Sequence, residues 1–223
     1  MRACRLCERA LKQIMKKLAV FDIDGTLHKT EVMGWEAYRV VMPEFGLPMP
    51  TRAQMISTYG CNAEEILRIL GIPPALSDAF YARIDKEEVV QMYRCGECYA
   101  GVLDMLHVLH KEGYQIALCS MCSAIYMDAF IRCFGLAAIV ATGRNEDTSG
   151  PDKAILLKEI LDTIAPDKAV MVGDRMFDIQ AATKNGVPSI GCLYGYAPDE
   201  VREADAVASN AAELYQSITA LLK

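Results

Sequence analysis

Long apolar runs are missing from this chain. None approaches the 18 or so residues of a membrane-spanning helix, so no membrane partner is expected. An excess of positive charge is missing too. Lys and Arg number 23 against 29 Asp and Glu, a net charge of −6. That balance disfavours nucleic acid and anionic membrane surfaces as partners. There is no internal repeat and no low-complexity stretch. The opening residues, MRACRLCERALKQIMKK, are basic but lack the apolar stretch of a secretion signal. The nine cysteines are scattered and odd in number. They are expected as reduced thiols in a cytoplasmic protein.

What is present is a large apolar fraction, 52%, in 223 residues. That is enough for one large domain, or for a core domain with a smaller companion. The stretch that organises the rest is Lys17–Leu27, KLAVFDIDGTL. Leu18 to Phe21, followed by Ile23, predicts a short strand buried on both faces. Asp22 and Asp24 stand at its C-terminal end. Side chains alternate along a strand, so two carboxylates two residues apart point the same way. Gly25 permits a sharp turn, and Thr26 sets a hydroxyl beside the acids. Acids at the carboxyl end of a parallel strand lie where open α/β sheets bind ligands. Read alone, the same residues also fit a plain Asp-Gly turn with Asp22 as a cap.

Residues 1–16 read as an N-terminal extension, either an extra helix or a frayed tail. Between Glu31 and Tyr93 the pattern is helical, with no convincing buried strand. Helices are predicted at Glu31–Val41, Thr51–Tyr59, Asn62–Leu70 and Ser77–Tyr93. Asn62 with Glu65 has the spacing of a capping box. From Ala100 onward strands alternate with helices of about a dozen residues. The strands are Gln115–Cys119, Ala138–Ala141, Lys168–Val172, Ser189–Cys192 and a short Ala206–Val207. The expected fold is α/β: a Rossmann-like parallel sheet with helices on both faces, plus an inserted α-helical cap domain. The core would comprise residues 17–28 and 99–223, and the cap residues 29–98.

Three further features fall where such a sheet places chemistry. Ser120 follows the strand QIALC directly. Gly173-Asp174-Arg-Met-Phe-Asp178 follows the strand KAVMV. Lys153 opens a helix after the loop SGPDK. Taken with DxDGT at Asp22–Thr26, these motifs and their order resemble the haloacid dehalogenase superfamily, from about Lys17 to the C-terminus. The 98 residues from Asp22 to Ser120 exceed one crossover, and the superfamily fills that gap with a helical cap. Leu193–Val201, LYGYAPDEV, resembles the phosphoglycolate phosphatase-like branch.

The resemblance implies a phosphatase that forms an aspartyl-phosphate. Asp22 would be the nucleophile. Asp24 would be the acid that protonates the leaving alkoxide and then the base for the attacking water. The acids Asp22, Asp24, Asp174 and Asp178 would repel a dianionic substrate, and a hard cation resolves the conflict. Oxygen ligands suit Mg²⁺. Asp22, the backbone carbonyl of Asp24 and Asp174 would bind it directly, and Asp178 through water. Lys153 and Ser120 would hold charge and phosphate oxygens. Thr26, His28, Met121 and the cap loop Tyr59, Gly60 and Asn62 are the candidate substrate contacts. The expected partner is a small phosphorylated metabolite, and the expected state a monomer or homodimer.

Two rival readings stand beside this one. A phosphoryl-shifting mutase of the beta-phosphoglucomutase type shares all four motifs and would depend on a bisphosphate activator. A zinc-linked scaffold or regulatory protein would draw on Cys4-x-x-Cys7, Cys95-x-x-Cys98 and Cys119-x-x-Cys122, since two such pairs make a Cys₄ site. His107 and His110 read as a solvated helix face.

Overall fold

The computed structural model describes residues 15–223. The expected N-terminal extension, with Cys4 and Cys7, lies outside the described residues apart from Met15 and Lys16. Six strands form one sheet: β1 (Lys17–Phe21), β2 (Gln115–Cys119), β3 (Val140–Arg144), β4 (Lys168–Gly173), β5 (Ser189–Cys192) and β6 (Ala206–Ala208). Their order is β3-β2-β1-β4-β5-β6, and every pairing is parallel. Chain order reverses between β1 and β4, the place where open α/β sheets leave a crevice at their carboxyl ends.

Alternation along the central strands divides the core into two layers. Ala19 and Phe21 of β1, Ile116 and Leu118 of β2, and Val170 and Val172 of β4 pack on one face. That face is covered by α5 (Val102–Lys111), α6 (Ala124–Cys133) and α10 (Ala211–Leu221), through Leu106, Phe130 and Ile218. Leu18, Val20, Ala117, Cys119 and Met171 point the other way. There they meet Leu156, Leu157 and Ile160 of α8 (Lys153–Ile164) and Ala181 and Ala182 of α9 (Met176–Asn185). Residues i and i+2 thus share a face and i+1 the opposite one, which is why the strands read as continuous apolar runs.

The helices between β1 and α5 are α1 (Thr30–Glu44), α2 (Arg52–Thr58), α3 (Ala63–Leu70) and α4 (Ser77–Cys95). They bury a cluster of their own, including Tyr38, Val41, Met55, Phe80 and Ile84. The two crossings between this helical unit and the sheet lie side by side. The Lys29 amide donates to the Glu97 carbonyl at 2.8 Å, and the Tyr99 amide to the Leu27 carbonyl at 3.0 Å.

Two local predictions shift. The strand expected at Ala138–Ala141 lies at Val140–Arg144. It is an edge strand and only partly buried, so it has no apolar run of its own. Leu136 and Ile139, which look like strand residues, are buried in the preceding loop. A single helical turn, α7 (Glu146–Ser149), follows β3 and was not expected; the Asn145 side chain caps it.

Candidate active site

The Asp22 carboxylate leaves the end of β1 at the reversal point and is fully buried. Asp174, immediately beyond β4, and Asp178, in the first turn of α9, are fully buried beside it. One oxygen from each lies within 4.8 Å of the others. Glycines make this crowding possible. A Cβ on Gly173 would overlap the Asp178 carboxyl, and one on Gly195 or Gly25 would overlap Asp174. The Asp174 carboxylate accepts the Tyr196 amide at 2.7 Å, and Asp178 accepts the Arg175 amide at 3.0 Å.

Lys153 enters from the start of α8. Its Nζ lies 2.5 Å from Asp22 Oδ1 and 2.6 Å from Asp178 Oδ1. Burial opposes the charge on Lys153, but Asp178 and Asp22 outweigh it and hold its pKa above the usual lysine range. Burial raises the Asp22 pKa well above the carboxylate range. Lys153 pulls the other way, while Asp178, Asp174 and Asp24 add to the rise. Burial, reinforced by Asp178, pushes Asp174 up to about 7. Three carboxylates against one ammonium leave the cluster short of positive charge, and Asp22 Oδ2 is buried with no hydrogen-bond partner. Hard oxygen donors, unbalanced negative charge and an orphaned oxygen fit a hard divalent cation.

Asp24 stands apart from that group and is only partly buried. Its Oδ1 accepts from Thr30 Oγ1 at 2.5 Å and from the Tyr126 hydroxyl at 2.6 Å. Its Oδ2 lies 3.5 Å from Ser120 Oγ. Asp22, Asp24, Ser120, Lys153, Asp174 and Asp178 are therefore brought together, as the sequence predicts. Thr30 and Tyr126 were not anticipated. Thr30 sits six residues beyond Asp24 and could have been suspected; Tyr126 reaches the site from α6, and no local signal marks it.

Two of the expected substrate contacts, Thr26 and His28, are buried, and a third, Asn62, is engaged in a helix cap. Thr26 is fully buried and its hydroxyl donates to Asp174 Oδ1 at 3.4 Å, so it orients an acid. His28 is fully buried, with Nδ1 2.9 Å from the Tyr126 hydroxyl and its ring against Phe130 and Phe134. Its Nε2 has no partner, and burial lowers its pKa to about 4. Asn62 spends its side-chain oxygen capping α3, accepting the Glu65 amide at 3.0 Å.

The loop between α2 and α3 does reach the core. The Tyr59 carbonyl accepts from Arg175 Nη1, and the Tyr59 ring packs on Tyr196 with centroids 5.0 Å apart. Above the acids, a cavity of about 330 Å³ separates the helical unit from the sheet. Asp24, Met121 and Tyr126 line it from the core, and Tyr59 and Gly60 from the helices. Gly60 and Met121 also border a smaller space of about 190 Å³ that opens on Asn62 and Lys153. Among the described residues, the metal-ligand grouping that forms contains Asp22, Asp174 and Asp178 and no cysteine. Cys119 is packed inside β2, with its thiol 3.9 Å from the Lys153 carbonyl.

A parallel α/β sheet that gathers four acids, a lysine and a serine at its reversal point defines a class of hydrolase. Residues 19–192 match the model of the haloacid dehalogenase-like hydrolase family. A phosphoglycolate phosphatase of Vibrio vulnificus is 30% identical over 219 residues, covering 89% of this chain and 94% of that protein. The tyrosine-protein kinase PtkA of Mycobacterium tuberculosis is 26% identical over 185 residues, covering 81% and 63% respectively. A solved haloacid dehalogenase-like hydrolase of Streptococcus pneumoniae superposes with a TM-score of 0.79 at 18% identity, covering 91% of this chain and 98% of that one. The chain belongs to the haloacid dehalogenase-like hydrolase family and is a phosphatase of that type.

Proposed function

We propose that the protein is a Mg²⁺-dependent phosphatase that hydrolyses a small phosphorylated metabolite through an aspartyl-phosphate on Asp22. The observation that carries this reading is the buried Asp22 carboxylate, held at one oxygen by Lys153 and unpartnered at the other, beside Asp24. Asp22 attacks phosphorus, and the bond to the leaving oxygen breaks as the new O–P bond forms. Asp24 gives that oxygen its proton. Asp24, now a carboxylate, takes a proton from water. The water oxygen bonds to phosphorus, the Asp22–phosphorus bond breaks, and inorganic phosphate leaves. Thr30 and Tyr126 hold Asp24 in place by donating to Oδ1. Lys153 and the Ser120 hydroxyl stabilise charge on the phosphoryl oxygens.

Asp22, Asp174 and Asp178 would hold the Mg²⁺. When bound, the ion supplies charge neutralisation for the acids and for the phosphoryl group. The helical unit serves as a cap that excludes bulk water while the phosphoryl group is on Asp22. More than a third of the kinase-named relative lies outside the match, so its activity does not pass to this chain.

The test is phosphate release from a small aryl phosphate. The wild-type protein should be active with Mg²⁺ and inactive in excess chelator. Asp22→Asn should be inactive with an unchanged circular-dichroism spectrum, because the amide is nearly isosteric but not nucleophilic. Wild-type-like release by Asp22→Asn, or full activity in chelator, would overturn the reading.

A further inference from the structure

Behind Asp24 the hydrogen bonds continue for one more residue. Asp24 Oδ1 accepts two hydroxyls, Thr30 Oγ1 at 2.5 Å and Tyr126 at 2.6 Å. Both hydroxyl oxygens then face a single nitrogen. His28 Nδ1 lies 2.9 Å from the Tyr126 oxygen and 3.4 Å from Thr30 Oγ1. A hydroxyl has one proton to donate, and an ionised carboxylate has none. Both protons are committed to Asp24, so neither hydroxyl can donate to His28. Nδ1 therefore carries the hydrogen and donates to the two oxygens. The other tautomer would set a nitrogen lone pair against two oxygen lone pairs and bury an unbonded N–H. Burial keeps the ring neutral, so Nε2 is unprotonated. That agrees with its place in the aromatic layer of Phe130 and Phe134, without a partner. Burial, reinforced by Asp24, raises the Tyr126 pKa well above the usual phenol range, so its hydroxyl keeps its proton.

The imidazole is fixed from two directions. The His28 amide donates to the Ile23 carbonyl at 2.9 Å, and its carbonyl accepts the Gly25 amide at 2.9 Å. Its backbone is thus part of the turn that carries Asp24. Its ring rests on Phe130 and Phe134, which follow Tyr126 at i+4 and i+8 along α6 and its C-terminal cap. One N–H therefore turns both hydroxyl protons toward Asp24 Oδ1. Oδ2 is left with the Ser120 hydroxyl at 3.5 Å.

We infer that His28 is a positioning residue for the reaction: its Nδ1–H orients Tyr126 and Thr30 onto Asp24 Oδ1 and leaves Oδ2 as the oxygen that carries the transferred proton. The inference rests on the phosphatase reading above, in which Asp24 protonates the leaving oxygen. As the bond from phosphorus to that oxygen breaks, the oxygen keeps the electron pair and takes the proton from Oδ2. Oδ1 accepts the same two hydroxyls before and after, so the carboxyl holds its orientation through both steps. No proton passes along the chain; His28, Tyr126 and Thr30 keep theirs throughout.

The test uses the full chain with Mg²⁺ and two aryl esters, phenyl phosphate and para-nitrophenyl phosphate. Nitrophenolate leaves readily without a proton, whereas phenolate is a poorer leaving group and gains from one. His28→Leu keeps an apolar side chain among the rings and removes the donor. Its kcat/KM should fall about tenfold further on phenyl phosphate than on para-nitrophenyl phosphate, part of the roughly 10²–10⁴-fold that a positioned acid supplies. His28→Asn, whose amide can donate in place of Nδ1–H, should keep the wild-type ratio to within about threefold. Equal losses on both esters in folded His28→Leu would overturn the inference and leave the phosphatase reading intact. So would a ratio in His28→Asn no better than in His28→Leu. Should the variants fail to fold, nitrogen NMR of the wild-type imidazoles decides without them. His28 is the ring shielded from a soluble paramagnetic agent, since His107 and His110 are exposed. It should carry its hydrogen on Nδ1, and a hydrogen on Nε2 would overturn the inference. Release from neither ester by the wild-type protein would overturn both readings.

Discussion

A lysine buried between two buried carboxylates is held by opposed effects: desolvation works against all three charges, and mutual attraction restores them. Asp22 and Asp178 share one ammonium, which leaves negative charge for an ion or a phosphoryl group to meet. His28 shows the opposite solution, a titratable ring kept neutral. Its pKa is about 4 in the fold, against an ordinary value of 6.5. Between those values the unfolded chain binds more protons, so this group makes stability rise with pH across that window and fall as pH drops toward 4. The loss amounts to about 3 kcal/mol at the acid end. His28→Asn keeps a hydrogen-bonding side chain near Tyr126 and removes the titrating ring. The variant should therefore flatten the melting temperature between pH 6.5 and 4 relative to wild type, whatever its offset at pH 7. Parallel curves would show that His28 does not carry the acid sensitivity. The sequence expects His28 as a substrate contact, and its burial in the fold has a plain cause. Proximity in sequence to Asp24 says nothing about which side of the turn a ring takes, and here it turns into the aromatic layer of Phe130 and Phe134. The acids were legible because a strand end and a glycine turn fix their direction. Tyr126 was not, because only packing decides which helix faces meet the site.

At the scale of elements, α2 and α3 are fixed by capping at their starts, and the loop between them is held at its backbone. Thr51 caps α2, exchanging hydrogen bonds with Gln54, and Asn62 caps α3. Arg175, at the start of α9, grips the Tyr59 carbonyl and pairs with Glu200 at 3.0 Å, tying the loop to the turn that carries Asp174. Asn62 thus acts through the helix it begins. Asn62→Ala should cost about 1 kcal/mol, seen as a lowered melting temperature, and Asn62→Ser should recover most of it. If Asn62→Ser instead matched Asn62→Ala in stability while both changed KM, the side chain would be reading substrate. The helices α1 to α4 and the central strands were readable because their apolar periodicity is uninterrupted. The edge strand β3 and the one-turn α7 were not. An edge strand lacks a continuous buried run, and four residues cannot show a 3.6-residue period. The second of these omissions hid Glu146 and Asp147, two of the five acids that line the cavity.

At the scale of the molecule, the site belongs to neither layer alone. The strand ends supply Asp22 and Asp174, and the start of α8 supplies Lys153. The helical unit closes over them through Tyr59 with Arg175, and through the hydrogen bond from the Tyr196 hydroxyl to Glu31. An ion that completes the acid cluster should therefore stabilise the whole fold, because it binds the native arrangement and not the unfolded chain. At a hundredfold excess over its dissociation constant the gain is about 2.7 kcal/mol. For a chain of this length that is a rise of roughly 5–10 °C in melting temperature. Mg²⁺ added to chelator-treated protein should produce such a rise. Asp174→Asn and Asp178→Asn should each remove most of it, while Asp162→Asn, on the exposed face of α8, should keep it. Ca²⁺ should also raise the melting temperature yet fail to support turnover, since it takes more ligands at longer distances and draws the nucleophile into a poorer attack geometry. Stabilisation and catalysis would then come apart by ion, as expected if the acids form a cation site and the reaction depends on how tightly that site is drawn. A melting temperature indifferent to Mg²⁺, in protein that still requires Mg²⁺ for phosphate release, would place the metal on the substrate rather than on Asp22, Asp174 and Asp178.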